Sequence, residues 1–154
     1  MNLIPNIAYI IALVASVLWF ASAFRYFGFQ QFAAAKVLIP HSQRTSPIFP
    51  TTAASIRFLG GMNGAFALLS GLLLIALISG SSLFADPLER AGLVLILATA
   101  HFSQFVFNMP ILLNGERQGD SYWYVRSGPM LFIFVVDVVA TLLCCLAAIT
   151  LAFM

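Results

Sequence analysis

Apolar residues run through this chain in four long blocks, separated by short stretches where charges, prolines and serines collect. The blocks cover 1–24, 58–85, 91–115 and 127–154, and only the last two contain any of Asp, Glu, His, Lys or Arg, namely His101 and Asp137. Crossing a bilayer takes about 20 apolar residues at about 1.5 Å of helix each. The pattern therefore predicts an all-α membrane protein, a four-transmembrane-helix bundle with spans about 3–25, 53–80, 87–114 and 126–152. The spans and their connections account for residues 1–154, which read as a single integral membrane domain.

Finer periodicity places polar groups on particular faces. In span one, Tyr9, Ala12, Ser16, Trp19 and Ala23 share a side. Beyond Arg25 the helix is expected to run on as an interfacial amphipathic segment, with Phe29, Phe32 and Val37 set among Gln30, Gln31 and Lys36. Pro40, Pro47 and Pro50 then break any helix, and Thr51 or Thr52 is a candidate cap for span two. Span two carries the small residues Gly60, Gly64, Ala67 and Gly71 on nearly one face, the pattern that lets membrane helices approach closely, with Asn63 beside them. Asp86 and Pro87 form an N-cap and first-turn pair for span three, and Pro110 is expected to kink or loosen that span's last turn. In the connection that follows, Tyr122, Trp123 and Tyr124 suit an aromatic anchor at the headgroup level.

The candidate chemistry lies inside the spans. Asp137 interrupts an otherwise uncharged run, and an acid in hydrocarbon is costly enough to need a partner. His101, Gln104 and Asn108 follow an i, i+3, i+7 spacing on one side of span three. Counted from the expected cytoplasmic ends, Ser127 and Gly115, at 1.5 Å per residue, Asp137 lies about 15 Å deep, Gln104 about 16 Å, Asn108 about 10 Å and His101 about 21 Å. Gln104 is thus the expected partner, with His101 and Asn108 a turn away. A protonated Asp137 donating to an amide would be a neutral solution; an Asp137–His101 ion pair would be a charged one, penalised by burial. The cluster reads either as an interhelical clasp or as a polar cavity for a ligand or proton.

Composition supports the membrane class: 62% of residues are hydrophobic, 8% charged, and mean hydropathy is +1.02. The net charge of +2 rests on seven scattered basic residues, which do not make a nucleic-acid surface. Six of them, Arg25, Lys36, Arg44, Arg57, Arg117 and Arg126, flank the first and third connections, and only Arg90 lies at the other end. By the positive-inside rule both of those connections are expected to be cytoplasmic and both termini outside, in a membrane such as a bacterial-type cell inner membrane. Ala21-Ser22-Ala23 resembles a signal cleavage site, but the leading MNLIPN has no basic residue, so this segment is expected to be a retained span. The adjacent Cys144 and Cys145 point about 100° apart on a helix and are expected to pack, not to pair.

No GxSxG, phosphate loop, HExxH or paired acids occur, and no metal-ligand spacing is present. His41 sits in the proline-rich loop, too far in depth from His101 for bis-His haem ligation. The Glu-Arg-x-x-Asn-x-x-Glu pattern of four-span glutathione-using enzymes is absent, since Glu116-Arg117 continues as Gln118-Gly119-Asp120.

Two segments resemble known families. Ile56-Arg57-Phe58-Leu59-Gly60-Gly61 is similar to the second span of small DoxX-like four-helix membrane proteins. Ala100-His101-Phe102, with the apolar run before it, resembles the third span of the ergosterol-biosynthesis scaffold family. The resemblance covers about residues 50–115 and leaves Asp137 outside it. It implies a non-catalytic protein that holds other membrane proteins together. The expected function is accordingly a scaffold or accessory subunit of a larger membrane complex, in contact with the bilayer and other subunits. The alternative is a binder or carrier of a small lipophilic molecule, such as a quinone, sterol or pigment, held at Asp137, Gln104 and His101. A proton-coupled transporter with Asp137 as relay is a third, for which no internal repeat exists. No cofactor is identified.

Overall fold

The structure is a computed structural model and describes residues 3–118, 121–122 and 124–154. Four long helices, α1 (Leu3–Phe29), α3 (Phe49–Ile78), α4 (Pro87–Val106) and α6 (Gly128–Ala152), form an all-α bundle. Two short helices, α2 (Gln31–Leu38) and α5 (Met109–Leu113), fill the connections at one end. Each span is long and apolar enough to cross a membrane: Asn6–Phe29, Phe49–Ile78, Pro87–Leu113 and Gly128–Ala152. The chain is an integral membrane protein.

Local chemistry sets the ends of these helices. Asp86 caps α4 as expected, its carboxylate accepting from the amides of Leu88 at 2.8 Å and Glu89 at 3.0 Å, with Pro87 in the first turn. The expected threonine cap of span two is not found. α3 starts earlier, at Phe49, because Pro50 suits a first helical turn, where no N–H bond is lost. Thr52 lies inside the helix and donates its hydroxyl back to the Ile48 carbonyl at 3.1 Å. At the far end of α3, Gly80 adopts φ 65°, and Ser81 N–H bonds to the Ala76 carbonyl at 3.1 Å, closing the helix with a left-handed glycine.

Pro110 acts as expected. α4 ends at Val106, two turn residues follow, and α5 restarts at Met109. The next connection contains a two-residue antiparallel pair, β1 (Arg117–Gln118) with β2 (Ser121–Tyr122).

Packing follows the order α3–α1–α6–α4, with α3 and α4 scarcely touching. Leu13 and Phe20 from α1, Leu73 from α3, Leu97 from α4 and Leu151 from α6 meet in the centre. Leucines and phenylalanines such as Leu18, Phe58, Leu68, Leu142 and Phe132 face outward, as lipid-facing residues do. α2 folds back into the corner between α1 and α3 on Ala34 and Ala35, which are buried against Ala53 and Ile56. The aromatic side chains expected to drive this segment, Phe29 and Phe32, point outward instead. Two alanines win the inner face because only small side chains let so short a helix lie close to its neighbours.

The small-residue face of α3 is used within the chain. A Cβ at Gly60 would come within 2.4 Å of the Gly28 backbone nitrogen, and one at Gly64 within 2.9 Å of the Phe24 ring. Ala67 is partly buried against the central core. Gly71 departs from the expected packing face, for a Cβ there would meet nothing within 4 Å.

Candidate functional site

Ser16 and Trp19 lie one turn apart on α1, and both turn inward with Ala12 and Ala23. His101 of α4 and Asp137 of α6 face them, and Ser16, His101 and Asp137 are all wholly buried. Asp137 Oδ1 receives two bonds. The Trp19 indole N–H donates to it at 2.9 Å, and His101 Nδ1 lies 2.9 Å away. An indole can only donate, so Oδ1 is an acceptor there. We assign the proton of the second bond to His101 Nδ1, which leaves Nε2 facing the Ser16 hydroxyl at 3.3 Å. Ser16 Oγ in turn lies 3.6 Å from Cys144 Sγ. The Phe20 ring stacks on the imidazole with centroids 4.3 Å apart and closes the cluster on the α3 side. Asp137 Oδ2 is buried with no hydrogen-bond partner.

The structure thus joins Asp137 to His101 and not to Gln104. The depth count failed because Gly115 and Ser127 are not a common level. A paired hairpin runs between them, and the helix is interrupted at Phe107–Asn108. His101 shares its face with Gln104, so one turn of offset sufficed to change the partner. A neutral acid-to-amide bond is accordingly not the arrangement found. Asn63 is buried but separate, donating to the Leu59 carbonyl of its own helix at 2.8 Å. Both cysteines are free, Cys144 buried against Ser16. Of the expected aromatic anchor, Trp123 lies outside the described residues, Tyr122 pairs through its backbone in β2, and Tyr124 is exposed. Among the described residues, no three of His, Cys, Asp and Glu are grouped to hold a metal.

Gln104 and Asn108 have a different place. They line a groove of about 500 Å³ whose walls come from α1, α2, α4 and α6, with Leu59 from α3. Trp19, Ala23 and Phe27 supply one wall, Met130 and Ile133 another, and Leu38 of α2 a third. These residues continue the faces that carry Ser16, His101 and Asp137, one or two turns nearer the end with the long connections. The groove therefore runs up to the polar cluster, and Trp19 belongs to both: its ring lines the groove while its N–H is held by Asp137. Asp137 and His101 do not line it. The Asn108 amide donates to the Gln104 carbonyl at 2.9 Å, which orients that side chain against α4.

Sequence reasoning placed Ser16 and Trp19 on one face without linking either to Asp137. A tryptophan in a span looks like an interfacial ring, and only its N–H, which must be satisfied when buried, hinted otherwise. Gly28, against which Gly60 packs, carried no motif of its own. Comparisons with family models, with curated proteins and with solved structures find no match to this chain.

Proposed function

We propose that the protein is a non-catalytic binder of a small lipophilic molecule, which lies in the groove against Trp19. The single observation that carries this reading is the shared role of Trp19, a groove wall locked from behind by the buried Asp137. Ligand sites are typically apolar clefts of about 300–1,000 Å³ with a few polar groups, and this groove of about 500 Å³ offers Gln104 and Asn108. Asp137 and His101 then act as positioning residues, with no contact to ligand. The connections 30–48 and 114–127 face the cytoplasm and both termini lie outside, in a membrane such as a bacterial-type inner membrane.

Mass spectrometry of the protein purified in mild detergent tests this reading. Wild type is expected to carry one co-purifying lipophile, and Ser22→Trp, which fills the groove while leaving Asp137 and His101 in place, to lose it while still folding, less the stability the ligand itself confers. No ligand in wild type, or equal occupancy in the variant, overturns the proposal.

A second reading is the accessory subunit or scaffold. Its support is the surface of α3, where Gly61 and Gly71 leave room for the close approach of a partner helix. Gly60 and Gly64 lend it none, being occupied by α1. A stoichiometric polypeptide in the same purification favours this reading, and migration alone counts against it.

A further inference from the structure

The groove does not stop at its apolar end. A second cavity of about 460 Å³ adjoins it and shares Val37, Leu38, Pro129 and Met130 as common walls. Its outer lining is of a different kind: Lys36, His41 and Arg44, with no acid among the described residues that line either cavity. The acids of the described chain are engaged or remote. Asp86 and Glu89 lie at the opposite end, Asp137 is sealed behind Trp19, and Glu116 accepts from the Arg126 amide. Arg44 is held in place, its Nε–H donating to the Ile39 carbonyl at 3.0 Å and a terminal N–H to the Lys36 carbonyl. The rest of its guanidinium fork stays available beside Lys36.

Resting on the lipophile-binding reading, we infer that the two cavities form one site for a single anionic phospholipid. Its phosphate sits at Lys36 and Arg44, and one acyl chain runs inward to Trp19. Dimensions support the assignment. From Phe27 to Trp19 the groove follows eight residues of α1, about 12 Å at 1.5 Å each. One leaflet of a hydrocarbon core of roughly 30 Å is about 15 Å deep, so the groove matches the chain of a lipid anchored at the interface. The inner end argues the same way. A lipophile entering head first would meet an indole whose only donor is already given to Asp137, beside the uncharged amides of Gln104 and Asn108. The strongest recognition chemistry is at the mouth, where a phosphate meets basic side chains at the level of the headgroups.

Tryptophan quenching in the full-length chain tests this directly. Trp19 and Trp123 are the two tryptophans, so Trp123→Phe leaves Trp19 as the sole reporter. Detergent-solubilised protein is titrated with dibrominated phosphatidylglycerol or with dibrominated phosphatidylcholine. Saturable quenching is expected from both, with the anionic lipid effective at about tenfold lower concentration, the equivalent of one charge-assisted hydrogen bond. Lys36→Ala with Arg44→Ala is expected to bring the anionic lipid down to the neutral one. Lys36→Ala alone, which spares the carbonyl bonds of Arg44, should give part of that loss. Glycerol phosphate, a head without a chain, should not relieve the quenching. Equal response to the two lipids, or no saturable quenching by either, overturns the inference; the lipophile reading falls only if the purified wild type also carries no co-purifying lipophile.

Discussion

At Asp137 two donors from two helices converge on one oxygen. Trp19 and His101 both address Oδ1, so this atom ties α1 and α4 to α6. Asp137→Ala would leave an indole N–H and an imidazole N–H buried without an acceptor, at about 1–3 kcal/mol each before relaxation. Membrane cycles give smaller pairwise values, about 0.6 kcal/mol on average, since an unfolded span also finds partners. The expected outcome is therefore a loss of about 2 kcal/mol for Asp137→Ala, with coupling of about 1 kcal/mol to His101→Ala in a double-mutant cycle. Asp137→Asn, which keeps an acceptor oxygen, should retain most of the stability. Unfolding in mixed micelles with rising sodium dodecyl sulfate measures all of these, and additive single variants would show that the cluster is no clasp. The acid and the histidine were legible because ionisable groups stand out in apolar runs. Their pairing was not, because the break at Phe107–Asn108 offsets a count taken from Gly115, and one turn separates His101 from Gln104.

At the scale of the element, the question is which small residues are needed. Gly60 of α3 packs on Gly28 of α1 so closely that any Cβ must push the two backbones apart. Gly60→Ala is expected to cost about 1–3 kcal/mol, the usual range for overpacking, whereas Gly71→Ala should change stability by no more than about 0.5 kcal/mol. Thermal unfolding of the two variants in the same detergent checks the contrast. Equal effects would mean that α1 and α3 do not meet at Gly28. The GxxxG spacing was readable in the sequence, but spacing marks a face and says nothing of what lies on it. Ala34 and Ala35 make the same point. Phe29 and Phe32 carry more apolar area and still face outward, while Ala34 and Ala35 are the wholly buried residues of α2, set against Phe27, Ala53 and Ile56. Hydrophobicity ranks residues by their gain on leaving water, and in lipid that gain is the same on either face.

For the whole molecule, the antiparallel order of four spans puts the connections 30–48 and 114–127 at one end and both termini at the other. Six of the seven basic residues flank the first pair. Arg90, the exception, is occupied locally: its Nε–H donates to the Phe84 carbonyl at 2.6 Å, and its guanidinium carbon stands 5.8 Å from the Tyr9 ring centroid. The charge asymmetry therefore acts almost wholly through the end that carries Lys36 and Arg44. The same residues that set orientation would then also meet anionic headgroups, worth about 1 kcal/mol per basic residue near such a surface. Both roles need that end to be cytoplasmic, and single-cysteine labelling reads it. With Cys144 and Cys145 replaced by alanine, Ser82→Cys is expected to react with a membrane-impermeant maleimide in intact cells, and Ser42→Cys only after permeabilisation. Both serines are exposed, so a missing reaction reports the membrane and not the fold. The reverse pattern would turn the bundle over and carry the mouth of the groove to the outer leaflet, away from the anionic lipids proposed to enter it.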